Sequence, residues 1–127
     1  MMNNFYDTSS LLLAGDEIFS EKSHIILSSI TLKELEKIKT SIHKDLDVKY
    51  SARKLLHYLN ENPNSFTCWI FTDGMESPIL NAHLELTDDT RILASAINYA
   101  STLHDEEFNF YTNDLSLKHL ASLFFNT

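Results

Sequence analysis

Short apolar runs alternate with helix-period stretches along almost all of the 127 residues. That alternation constrains the fold more than any other feature, because it is the pattern of a parallel sheet flanked by helices. The first junction is the sharpest. Phe5 and Tyr6 suit a pleated surface, and Ser9 and Ser10 supply cap chemistry ahead of Leu11, Leu12 and Leu13. Asp7 therefore stands where a strand stops and a helix, expected over about 9–19, begins. In open α/β sheets this edge is where ligands bind. Helix capping would explain one such acid on its own.

The pattern repeats. Ser23 to Ile30 reads as a buried strand, and Thr31-Leu32-Lys33-Glu34 matches a capping box. Leu35, Ile38 and Ile42 continue that helix at helical spacing. A further helix is expected from about Asp47 to Asn60, with Val48, Ala52, Leu55, Leu56 and Leu59 as its apolar stripe. Lys49, Arg53 and His57 form a separate polar stripe on it. Ser65 to Thr72 is the strongest strand signal, Asp73-Gly74 a turn, and residues 79–86 a weaker returning strand. Thr87 opens a helix to about Ser101, Glu107 to Thr112 reads as a strand, and Asn113-Asp114 caps a last helix built on Leu117, Leu120, Ala121 and Phe124. The expectation is a single domain over residues 1–127 with a central parallel sheet of about four or five strands.

Composition narrows the function classes. No run of about 20 apolar residues exists, so no membrane span is expected. Met1-Met2-Asn3-Asn4 lacks the basic and apolar regions of a signal peptide, and the lone Cys68 has no disulfide partner. A reducing cytoplasm is the expected home. The formal net charge of -8 argues against tight nucleic-acid binding by the chain as a whole. The charge is uneven, however. Between Lys33 and Lys54 seven Lys and Arg residues face four acids, a mildly basic flank on a very acidic body. A solvated helix face explains that flank equally well. The six histidines lack zinc-site spacing, and with only Gly15 and Gly74 a phosphate-cradling glycine loop is excluded.

Four acids fall just after a strand or at a helix start: Asp7, Glu34, Asp89 and Asp114. Each is favourable at the positive end of a helix. Asp89 resists that explanation. At about 100° per residue it lies in line with Ile92, Leu93, Ala96, Ile97 and Ala100, while Asp88 points toward solvent. A carboxylate aimed at the core side needs a partner. A bound Mg²⁺ or Mn²⁺ is the simplest one, since several acids at one sheet edge make an oxygen-rich site.

Together the four segments resemble the PIN domain, a compact α/β ribonuclease fold. Its first motif resembles Asp7-Thr8-Ser9-Ser10-Leu11, its second Thr31-Leu32-Lys33-Glu34-Leu35, its third Asp88-Asp89-Thr90-Arg91-Ile92-Leu93 with Asp89 as the matching acid, and its fourth Thr112-Asn113-Asp114. Arg91-Ile92-Leu93 and Ala52-Arg53 are similar to the PIN domains attached to PhoH-type ATPases. The likeness runs from Asn4 to Phe124. It departs at Ser9, where many members have Asn, and at Ser116, where some carry another acid. With no ATPase segment in these residues, a stand-alone PIN unit or a fragment is expected.

The resemblance implies a Mg²⁺- or Mn²⁺-dependent endoribonuclease acting on single-stranded RNA. Asp7, Glu34, Asp89 and Asp114 would be its metal-binding catalytic acids. Thr8, Ser9, Lys49, Arg53, Thr112 and Asn113 would meet the substrate. A homodimer or an inhibitory protein partner is compatible with it. Two other readings stand beside this one. The first is a PIN-like RNA- or protein-binding module without turnover. The second is a phosphoacceptor module, which is weaker because Asp88-Asp89 starts a helix and no lysine closes a late strand.

Overall fold

The computed structural model describes residues 2–15, 18 and 24–125. Four strands form one sheet: β1 (Met2–Tyr6), β2 (Ile25–Ser28), β3 (Phe66–Trp69) and β4 (Glu107–Tyr111). Six α-helices accompany them among the described residues: α1 (Thr8–Ala14), α2 (Ser29–Thr40), α3 (Leu46–Glu61), α4 (Ser77–Asn81), α5 (Asp88–Ser101) and α6 (Leu115–Ala121). The strand order is β3-β2-β1-β4, and every pairing is parallel. The expected parallel α/β/α architecture is observed, with four strands in the sheet.

Strand alternation sorts the core into two layers. Phe5, Ile26 and Phe110 face one side, where they pack with Ile79, Ile92, Leu93 and Leu117. Tyr6, Ile25 and Leu27 face the other, against Leu11, Leu35, Ala52, Leu55 and Leu59. α5 is buried along five consecutive residues, Ile92 to Ala96. That placement requires small residues on its packed faces, and Ala94, Ser95 and Ala96 supply them. Ser95 is fully buried because its hydroxyl lies 2.9 Å from that of Ser28 and also donates to the Arg91 carbonyl at 3.0 Å.

Several boundaries differ from the sequence expectation. The weak strand expected over 79–86 does not form. Pro78 occupies the first turn of α4, a position where its missing N–H is no loss. Ile79 is then buried in the core, and the Leu84 N–H closes back on the Ile79 carbonyl at 3.1 Å. α1 begins at Thr8 and is capped by Asp7 itself, so Ser9 and Ser10 are not the cap. The expected continuation of that helix to residue 19 lies outside the described residues apart from Gly15 and Ile18, as does the expected strand start at Ser23. α2 starts at Ser29, with Ser28 as its cap, and so Thr31 sits inside the helix rather than at its cap.

Strand order reverses at β1. The chain leaves β1 toward β2 and β3, then crosses to pair β4 on its other side. The crevice beyond the carboxyl ends of β1 and β4 is the topological switch point, where open α/β sheets bind ligands. Tyr6 and Tyr111 end the two strands in register and stack at 4.7 Å between ring centroids.

Leu93→Ala should lower the unfolding free energy by about 2–5 kcal/mol in urea titration, through lost burial and the cavity left behind. Leu13→Ala, at a position 72% exposed, should change it by less than about 0.5 kcal/mol.

Candidate functional site

Asp7 lies at this switch point and is 2% exposed. Its N–H donates to the Tyr111 carbonyl at 3.0 Å, which extends the β1–β4 ladder by one bond. Its carboxylate is held on both oxygens. Oδ1 accepts from the Ser10 N–H and the Ser9 hydroxyl, each at 2.9 Å, and Oδ2 accepts a short bond from the Thr112 hydroxyl. Thr112 in turn accepts from the Asp114 N–H at 3.0 Å, and Ser9 accepts from the Asn113 N–H at 3.1 Å. The turn after β4 is thus tied to the turn after β1. Thr8, Ser9, Thr112 and Asn113 all stand at this edge, where the sequence placed them.

Glu34 reaches the same edge from the second turn of α2. Its Oε1 accepts the Thr8 hydroxyl at 2.7 Å, and Thr8 also lies 3.1 Å from the buried Thr31 hydroxyl. Thr31 therefore braces Thr8 instead of capping α2, and Glu34 pairs with Thr8 instead of closing a capping box. Burial pushes the Glu34 carboxyl above its ordinary value, and the charges of Asp88, Asp89 and Asp7 push it the same way; the Thr8 bond pulls against them. Asp89 is also raised, first by burial and then by Asp114, Asp7 and Asp88. Asp89 is exposed, so solvent screens much of that effect. Asp114 caps α6, accepting from the Ser116 N–H at 2.9 Å and the Leu117 N–H at 3.2 Å.

The expected roles of the adjacent acids at α5 are reversed in exposure. Asp89 is the exposed one, and Asp88 is half-buried and paired with Arg91 at 3.3 Å. Thr87 and Thr90 cap this helix reciprocally, which puts both acids in its first turn. Side chains there lean back past the helix start, over the sheet edge and away from the core. Asp88 is the acid that sequence reasoning passed over. Its signal was present, because an acid in a first turn with Arg three residues on is a ready ion pair.

Arg53 and His57 of the basic stripe share one surface groove. It lies between α2 and α3, and Leu32, Leu56 and Phe66 line it too. His57 pairs with Glu61 at 3.0 Å. The start of α3, at Asp47, Val48 and Ser51, borders a cleft that also includes Ser9 and Asn113. Arg53 and His57 therefore flank the acids from a neighbouring face rather than standing among them. Cys68 is half-buried, and burial pushes its thiol up, as an inert packed thiol requires.

Among the described residues no three His, Cys, Asp or Glu side chains stand close enough to hold one ion as they are placed. The donor set nevertheless suits a hard divalent cation in kind. It is all carboxylate and hydroxyl oxygen, and burial together with the like charges raises the proton affinity of Glu34 and Asp89. No described helix is long and apolar enough to cross a membrane. A family model described as PIN domain matches residues 5–124. No curated protein matches the chain.

A carboxyl raised in the folded state is penalised once it ionises. The penalty is absent below the ordinary Glu value of 4.5 and grows as pH rises through the folded value. Glu34→Gln keeps an oxygen for Thr8 and removes the charge. It should raise the melting temperature of the metal-free protein at pH 7, with the gain vanishing toward pH 4. A gain that persists at pH 4 would contradict the charge origin.

Proposed function

We propose that this chain, which belongs to the PIN domain family, is a divalent-metal-dependent endoribonuclease acting on single-stranded RNA. PIN domains are generally metal-dependent nucleases and typically use Mg²⁺ or Mn²⁺. The observation that carries the reading is the tie between the turns after β1 and β4, which fixes Asp7 by three donors beside Asp114 while the Thr8 hydroxyl holds Glu34 at the same edge. Such an excess of negative charge is destabilising unless a cation joins it.

In this reading Asp7, Glu34, Asp89 and Asp114 hold the ion or ions. A bound divalent ion would supply the charge that activates water and offsets the negative charge on the departing 3′-oxygen, leaving 5′-phosphate and 3′-hydroxyl ends. Ser9 and Thr112 are positioning residues, because they aim the Asp7 carboxylate and touch no reacting atom. Thr8 does the same for Glu34. Ser9 and Asn113 border the cleft where the RNA chain would pass. Lys49 and Arg53 would attract the phosphate backbone from the adjoining face. No covalent nucleophile is invoked, since Cys68 is half-buried in β3.

The Arg91-Ile92-Leu93 and Ala52-Arg53 segments support a place near the PIN domains attached to PhoH-type ATPases. The lone cysteine supports a cytoplasmic setting. The spread of the carboxylates favours a second reading, a PIN-like binding module that has lost turnover.

A mixed single-stranded RNA pool separates the two. With Mg²⁺ or Mn²⁺ the nuclease yields 5′-phosphate ends, and excess chelator stops it. Asp7→Asn should lower kcat by roughly a hundredfold or more, and Ser9→Ala by far less. Chelator-resistant cleavage or 2′,3′-cyclic phosphate ends would contradict the mechanism, and silence with both metals would favour the binding module. Changing Lys49 and Arg53 together to Glu should weaken RNA binding and flatten its logarithmic salt slope by about 0.7 for each phosphate no longer neutralised.

A further inference from the structure

A cleft of about 190 Å³ opens beside the acids, between the starts of α5 and α6. Asp89 and Asp114 border it. Leu84 and Leu120 also line it, each half-buried and packed on the core, so that wall is fixed in place. The Thr87 and Thr90 hydroxyls at the cleft are already engaged, and the Thr90 hydroxyl also donates to the Glu85 carbonyl at 2.8 Å. That bond pins residue 85 at the rim. Glu85 and Ser116 stand exposed at the rim of the cleft, where the Glu85 carboxylate and the Ser116 hydroxyl have no hydrogen-bond or ion-pair partner among the described residues and face solvent. The cleft thus combines an apolar wall, a free acceptor, a free hydroxyl and direct continuity with the acids.

We propose that this cleft receives one nucleobase of the RNA, next to the phosphate that the acids handle. It favours a base with an exocyclic amino group, such as cytosine or adenine, over uracil, which has none. The inference rests on the nuclease reading above and gives it a specificity element. The leucines offer an apolar face to a ring, as pockets for unstacked bases do. The free carboxylate accepts from an amino N–H, the contact by which acidic side chains read cytosine. Uracil presents a carbonyl oxygen where cytosine carries that amino group, and a carboxylate repels it. The Ser116 hydroxyl donates or accepts as the edge requires. The cleft's size limits the occupant to a single base.

Uncharged nucleosides test this without metal and without catalysis. In ¹H–¹⁵N spectra of the full chain at neutral pH, cytidine and adenosine should shift the amides of Leu84, Glu85 and Ser116. Their apparent Kd should lie roughly tenfold below that of uridine. Glu85→Ala should remove that difference. Ser116→Phe, at an exposed position, should fill the cleft and abolish the shifts while the rest of the spectrum stays folded. Shifts confined to other residues, equal responses to uridine, or none at saturating nucleoside would overturn the subsite.

The two readings fail separately. Base-selective shifts with no RNA cleavage in either metal would leave the subsite standing and remove the nuclease. Metal-dependent cleavage without any base preference beside the cut, together with unmoved amides, would remove the subsite and leave the nuclease.

Discussion

The carboxylate of Asp7 is held between two strands whose sequence positions lie about a hundred residues apart. Its own N–H joins it to Tyr111, and the Thr112 hydroxyl and the Ser9 and Ser10 donors hold its oxygens. Every other feature of the site depends on that bridge. Because β1 and β4 are adjacent and parallel, the turns after them meet, and that meeting brings Asp114 to Asp7. Because β2 lies on the other side of β1, α2 delivers Glu34 onto Thr8 in the helix that Asp7 caps. Asp7 is therefore both a helix cap and the anchor of the acids. Capping takes one acceptor position on Oδ1, and the Ser9 and Thr112 hydroxyls take the others.

The arrangement has a cost in like-charge repulsion. Glu34 and Asp89 each feel burial and at least three neighbouring acids. The single described ion pair among these acids, Arg91 with Asp88, neutralises one edge and leaves the others facing each other. The hydroxyls of Thr8, Ser9 and Thr112 satisfy oxygens without cancelling charge. Hydrogen bonding thus fixes where the carboxylates are and leaves their charges facing one another.

Much of this was readable in the residues. The alternation of strand and helix periods predicted a parallel sheet, and the acids at strand ends pointed to its carboxyl edge. What escaped has particular causes. The helical wheel aligned Asp89 with Ile92 and Ala96, but a residue in the first turn has no preceding turn to pack on, so the wheel misplaces it. The capping-box motif at Thr31 was real as a pattern. Ser28 already capped the helix from the end of β2, and that moved Thr31 inside and freed its hydroxyl for Thr8. At 79–86 the apolar residues suited a strand or a helix equally, and Pro78 at a helix start decided the matter. The groove that Arg53 and His57 share depends on how α2 packs on α3, which no local pattern encodes, whereas the pairing of His57 with Glu61 is a contact four residues apart within α3.

Asp7 as the proposed anchor of a divalent-cation site is open to direct test. The most direct measurement is a calorimetric titration of the metal-free chain with Mn²⁺, compared with Asp7→Asn and Thr112→Val. The expected result is one or two bound ions per chain, a loss of affinity of about 10- to 100-fold when Thr112 no longer supports the carboxylate, and a larger loss in Asp7→Asn. Unchanged Mn²⁺ affinity and stoichiometry in Asp7→Asn would contradict it.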